Sequence, residues 1–318
     1  MSAEMEHQTR LLQERMDTSS MEKFSDICLA VALAENRSKH PIILSLGAGT
    51  GKVERQIAYK YPKAEVIAAD LSLPMIEEIR KNATTEFGMR ENLHILQCSI
   101  DRLPIAPESV DFIIASSVVH EIASFRDHGR LGIHTEHFYQ QVARRLKPNG
   151  VFFIRDFVQP DNPSKLVDIK IGKTIFSEDA DPKTFVDRFT QEFKATDFTD
   201  VRSQIEALKR NGAYGQGSIL TMSYADAIEM GAHYSWSKRF DDEVKERYAY
   251  LPIAEYGQFI QDNFRVAGVE TTIIQQYPYL QSGYPLHVDG RLDIYQHGTM
   301  NPLFLSPFTG VMAFRRVN

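Results

Sequence analysis

The residues with the most chemical reach fall in three places. The first is Ile42-Ile43-Leu44-Ser45-Leu46-Gly47-Ala48-Gly49-Thr50-Gly51, an apolar run that ends in three alternating glycines. The second is Ser116-Ser117-Val118-Val119-His120-Glu121, and the third is Arg155-Asp156-Phe157. A histidine titrates near neutrality and can take a proton from a nucleophile. His120 is therefore a candidate base, and Glu121 and Asp156 can play that part or hold a cationic acceptor. Glycines between a buried strand and a helix permit positive φ and let a ligand approach where a Cβ would stand. The helix start adds unpaired N–H donors and a partial positive charge, which favour a carboxylate or phosphate.

Spacing narrows the ligand. The dinucleotide fingerprint G-x-G-x-x-G would place its third glycine at Lys52, but the glycine is Gly51. A phosphate loop needs glycine where Leu46 stands and Ser or Thr where Val53 stands.

These residues need a scaffold, and the pattern predicts one. Met5 to Met16 and Met21 to Asn36 read as two N-terminal helices, the second carrying Phe24, Ile27, Cys28, Val31 and Ala32 on one face. Five short apolar runs follow: Ile42–Leu46, Glu65–Ala69, Leu93–Gln97, Val110–Ala115 and Val151–Ile154. Helical segments over Gly51–Tyr61, Pro74–Ala83 and Phe138–Leu146 alternate with some of them, which predicts a parallel sheet covered on both faces. Such sheets bind ligands beyond the carboxyl ends of their strands, where all three clusters begin. Residues 160–250 read as mostly helical and rich in aromatics, including Phe176, Phe185, Tyr234 and Trp236. Helix Ile253–Ala267 and strands Val269–Tyr279 and Gly310–Arg316 then restore the rhythm around a loop-rich stretch.

The G-x-G-x-G turn resembles the S-adenosylmethionine turn of class I methyltransferases. The resemblance runs for about two hundred residues. It takes in Val66-Ile67-Ala68-Ala69-Asp70, Arg102-Leu103-Pro104, Val110-Asp111-Phe112-Ile113-Ile114 and Arg145-Leu146-Lys147-Pro148-Asn149-Gly150-Val151, in the family's order. It implies a Rossmann-like seven-stranded α/β sheet with an antiparallel last strand, an inserted mostly helical lid and N-terminal helices. The implied divisions are an N-terminal helical cap (1–40), a cofactor-binding core (41–159), a lid (160–250) and completion of the core (251–318).

The resemblance also assigns residues. Gly47, Ala48, Gly49 and Gly51 would cradle S-adenosyl-L-methionine, Asp70 would accept both ribose hydroxyls, and Leu71 would pack near the adenine. The family usually places an adenine-binding Asp where this chain has Ser99, so Ser99, Asp101 and the Ile100 N–H share that role. Ser116 ends the fourth strand at the cofactor, where catechol-type relatives carry a metal-binding acid. Members of the family carry a Ser-x-x-x-His like Ser116–His120 as a pocket wall or local cap, which competes with a base role for His120. His120, Tyr234 and Trp236 are the candidate acceptor-pocket residues, although helical aromatics more often build the core of their own segment.

Composition bounds the function. Hydrophobic residues make up 43% of the 318, enough for a full core, and the net charge of −6 argues against a protein that grips nucleic acid through phosphates. Cys28 and Cys98 are too few for a disulfide framework or a thiolate cluster. His134 and His137, with His128, His287 and His297 elsewhere, form no zinc spacing, so no metal is expected. With neither a spanning apolar run nor an apolar leader, the chain is expected to be cytoplasmic and free of membrane. The leading expectation is methyl transfer to a small-molecule acceptor under an aromatic lid. The alternatives are a cyclase or lyase that attacks another carbon of the cofactor, and a macromolecule methyltransferase. The oligomeric state stays open, a homodimer included.

Overall fold

The computed structural model describes residues 19–33, 38–82, 90–100, 102–175, 180–303 and 307–317. The helix expected over Met5–Met16, together with Asp101 and Phe176, lies outside them. The first half runs α1 Ser20–Leu33, β1 Ile42–Leu46, α2 Lys52–Lys60, β2 Glu65–Asp70, α3 Leu73–Asn82, β3 Leu93–Gln97, β4 Val110–Ser116, α4 Val119–Phe125, α5 Ile133–Arg145 and β5 Leu146–Phe157. The insertion follows as β6 Leu166–Ile171, α6 Pro182–Glu192, α7 Thr199–Arg210, β7 Ile219–Ser223, α8 Tyr224–Tyr234 and the short α9 Phe240–Glu243. Last come α10 Ile253–Val266, β8 Thr271–Tyr279, α11 Gly283–Val288, β9 Leu292–Gln296, β10 Pro302–Leu303 and β11 Thr309–Arg316.

Seven strands form one sheet in the order β3-β2-β1-β4-β5-β11-β8. The pairs β1–β2, β1–β4, β2–β3 and β4–β5 are parallel, and β11 runs antiparallel to both β5 and β8. This is the expected Rossmann-like sheet with its reversed last strand. Strands such as Val110–Ser116 are buried on both faces, which explains their unbroken apolar runs. Leu44, Leu46, Ile113, Phe152 and Ile154 pack with α5 and α10 on one face. Ile43, Ile114, Phe153 and Ile27 of α1 pack on the other.

The insertion is mostly helical, as expected, but it also contributes β6 and β7. These join β9 and β10 in a second, antiparallel sheet ordered β10-β9-β6-β7. The loop-rich late segment therefore belongs to the insertion's own layer. Its core gathers Val167, Ile169, Phe185, Phe189, Leu220, Tyr234, Leu292 and Ile294. Among the described residues, no helix is long and apolar enough to cross a membrane.

Candidate active site

The turn after β1 adopts the backbone that its glycines predict. Gly47, Gly49 and Gly51 have φ of 70°, 55° and 70°. A Cβ on Gly47 would meet Val118 at 2.7 Å, and one on Gly51 would meet Ile79 at 2.8 Å, so the sequence needs glycine for packing as well as for φ. The Gly49 N–H donates to Asp70 Oδ2 at 2.8 Å, and the Ser72 N–H donates to Asp70 Oδ1 at 2.8 Å. Each carboxylate oxygen keeps a lone pair for an incoming hydroxyl.

A cavity of about 770 Å³ opens over the carboxyl ends of the strands. Gly47, Ala48, Gly49, Asp70, Leu71, Ser99, Ile100, Ser116 and His120 line it, as does Glu121. The expected cofactor residues are thus gathered in one place, with two exceptions. Gly51 sits behind the turn against Ile79 and supports its shape, and Asp101 falls outside the described residues. Ser116 Oγ is buried without a hydrogen-bond partner among the described residues. Helix α1 closes one side through Ser19, Ser20, Glu22, Lys23 and Ile27. Phe24 of the same helix packs elsewhere, with the Lys60 ammonium 5.8 Å from its ring centre.

His120 stands at the start of α4 and is 7% exposed. Its Nδ1 lies 2.6 Å from Asp156 Oδ1 at the end of β5. Asp156 also accepts from the Val119 and His120 N–H groups at 2.9 and 3.2 Å and from its own neighbour Phe157 at 2.9 Å. Asp156 does not line the cavity, so it positions His120 rather than meeting an acceptor. On the far side of the ring, His120 Nε2 lies 3.6 Å from Glu246 Oε2. Burial pulls the imidazole pKa down, but the charge and hydrogen bond of Asp156 and the charges of Glu246 and Glu121 outweigh it and push it up to about 10.

Burial pushes Glu246 up to about 8 in spite of the His120 charge. Glu246 was not a sequence candidate. The ligand atoms of His120, Glu121 and Glu246 lie within 4.8 Å of one another. Asp127 accepts from the His134 and Thr135 N–H groups at the start of α5, and His297 pairs with Asp168 at 2.8 Å.

The insertion supplies the remaining wall. Trp236, Arg239, Glu243 and Tyr248 line the cavity, and Tyr248 stacks on Phe157 with ring centres 4.6 Å apart. Tyr234 does not reach the cavity. Its ring meets Phe185 edge-on at 5.0 Å and its hydroxyl donates to the Ala180 carbonyl at 2.6 Å. On the helical spacing of α8 it faces the insertion's core, while Trp236 lies just past the helix end and turns inward.

Residues 44–154 match a family model described as a methyltransferase domain. The ubiquinone/menaquinone biosynthesis C-methyltransferase UbiE of Syntrophotalea carbinolica is 31% identical over 121 residues, which is 38% of this chain and 46% of that protein. The uncharacterized methyltransferase YcgJ of Bacillus subtilis is 29% identical over 138 residues, 43% of this chain and 49% of that one. A malonyl-[acyl-carrier protein] O-methyltransferase of Legionella pneumophila is 33% identical over 78 residues, covering 24% and 26%. The chain thus spans about half or less of the length of these relatives. The crystal structure of the Bacillus subtilis YcgJ protein aligns over 92% of this chain and 97% of that one, with a TM-score of 0.47 and 15% identity.

Proposed function

We propose, from the premise that residues 44–154 match a methyltransferase domain, that the chain is a class I S-adenosylmethionine-dependent methyltransferase and methylates a small molecule held between His120 and the insertion. One observation carries the reading. The glycine turn, Asp70 and the His120–Glu246 pair open onto a single cavity roofed by Trp236 and Tyr248. The residues fit the cofactor. The turn leaves room for it, Asp70 keeps lone pairs for two ribose hydroxyls, and Leu71 and Ile100 offer apolar contact for a base.

When bound, S-adenosyl-L-methionine supplies an electrophilic methyl group on a sulfonium. The protein's share is then mainly positioning and exclusion of water. Phe157, Tyr248 and Trp236 provide the apolar walls that keep water out. Asp156 fixes the His120 ring so that Nε2–H points toward Glu246 and the cavity. That N–H can hold an acceptor oxygen or nitrogen in line. An acceptor hydroxyl that gains a methyl must lose its proton, and the ionised form of Glu246 would take it. With a pKa of about 8, Glu246 is matched to that exchange.

The test is product analysis. The protein is incubated with S-adenosylmethionine and a small-molecule extract, and the nucleoside products are separated. S-adenosylhomocysteine together with a methylated small molecule supports the reading. Methylthioadenosine instead would mean attack on another carbon of the cofactor and would end it.

A further inference from the structure

Unpaired polar atoms in a protein interior mark where a partner belongs, because each costs about 1–3 kcal/mol when left alone. Among the described residues, Glu54 Oε2, Ser116 Oγ and Arg155 Nη2 are all buried without a hydrogen-bond partner, and all three residues line the same cavity. Glu54 is 3% exposed and Arg155 is 2% exposed. Neither side chain is loose. Ser45 Oγ donates to Glu54 Oε1 at 2.7 Å. Arg155 Nε donates to the Tyr279 hydroxyl at 2.9 Å and lies 3.4 Å from Asp26, while Nη1 donates to Ser117 Oγ at 3.3 Å. In each case the atom left over is the one without a protein partner.

Sheet register sets these groups on one face. Ser45 of β1 lies beside Ile114 of β4, and Ser116, two residues on, lies beside Arg155 of β5. Residues two apart on a strand share a face, and registered parallel neighbours do too. Ser45 with its Glu54, then Ile114, then Ser116 with Arg155 therefore form a row beneath α1. Two residues of rise and one interstrand step separate Ser45 from Ser116 by about 8 Å. An α-amino acid head with a hydrogen bond at each end spans about 8–9 Å. Ile114 of the intervening strand β4 shares this face and also lines the cavity.

We propose that this row is a zwitterion clamp for the methionyl arm of the cofactor, with Glu54 taking the α-ammonium and Arg155 with Ser116 taking the α-carboxylate. The inference rests on the cofactor reading above and adds two residues to it. Burial raises the Glu54 carboxyl pKa against the opposing Ser45 hydrogen bond and the Lys23 and Arg55 charges.

Calorimetry with two nucleosides tests it. S-adenosylhomocysteine carries the amino-acid head, and 5′-methylthioadenosine is the same nucleoside without it. Glu54→Gln and Arg155→Met should each lose about tenfold or more in S-adenosylhomocysteine affinity, while 5′-methylthioadenosine changes by about twofold at most. On the unmodified protein, the S-adenosylhomocysteine analogue without its α-amino group should bind about tenfold more weakly than the parent. This ligand-side comparison decides the matter if Glu54→Gln does not fold. Equal binding of parent and analogue, or equal loss of both nucleosides in a folded Glu54→Gln, overturns the clamp and leaves the cofactor reading intact. An unmodified protein that binds neither nucleoside overturns both.

Discussion

Replacing Asp156 with Asn removes one charge and leaves the shape nearly unchanged. Four hydrogen bonds end on this carboxylate, one of them from the buried His120 ring. Asn can still accept from backbone N–H groups, but it cannot balance an imidazolium. Breaking one side of a buried charged pair typically costs about 3–5 kcal/mol. The displacement of His120 from 6.5 to about 10 corresponds to about 4–5 kcal/mol of preference for the charged ring, which agrees. At about 2–3 °C per kcal/mol for a chain of this size, Asp156→Asn should melt roughly 6–15 °C lower near neutral pH. The pH dependence gives a sharper check. Because the folded value lies above the unfolded one, His120 stabilises the fold fully below about pH 6.5, and that contribution is lost as pH rises through about 10. The difference in melting temperature between wild type and Asp156→Asn should therefore be largest in mild acid and shrink toward pH 10. Side-chain nitrogen NMR should show His120 charged at pH 8 in the wild type and neutral in the variant. A variant whose His120 stays charged at pH 8, or whose melting point moves by no more than about 1 °C, would refute the assignment of Asp156 as the holder of that charge.

Three further outcomes follow from the same geometry. Difference infrared spectroscopy should find a protonated carboxyl band at pH 6 that disappears as pH rises through about 8 and is missing in Glu246→Gln, since burial holds Glu246 protonated below that value. Tyr234→Phe should cost about 1 kcal/mol through its lost hydrogen bond to Ala180 and leave cofactor affinity alone, whereas Trp236→Ala should change which acceptors are methylated with little effect on melting.

Much of the site was legible because its signals are local. The glycine turn, Asp70 five residues into β2 and the Ser116–Glu121 segment are each written in consecutive residues at strand ends. Even the His120–Asp156 contact follows from β4 and β5 being neighbours. What stayed hidden depends on distant pairing. Strands β6 and β7 are five or six residues long, and β6 finds its other partner, β9, only after residue 290. Nothing near Glu246 announces that it will face a histidine 126 positions earlier. Glu54 looks like an ordinary polar position of a short helix until the structure turns it onto Ser45. Tyr234 and Trp236, two residues apart, differ in role because the helix ends between them, a boundary that aromatic content does not reveal.

The central claim is that the glycine turn and Asp70 hold S-adenosylmethionine, and titration calorimetry with S-adenosylhomocysteine tests it most directly. The wild type should bind one equivalent. Asp70→Ala should weaken binding by about ten- to a hundredfold, the equivalent of one or two charge-assisted hydrogen bonds to the ribose. Absence of heat with the wild type, or equal affinity in Asp70→Ala, would contradict it.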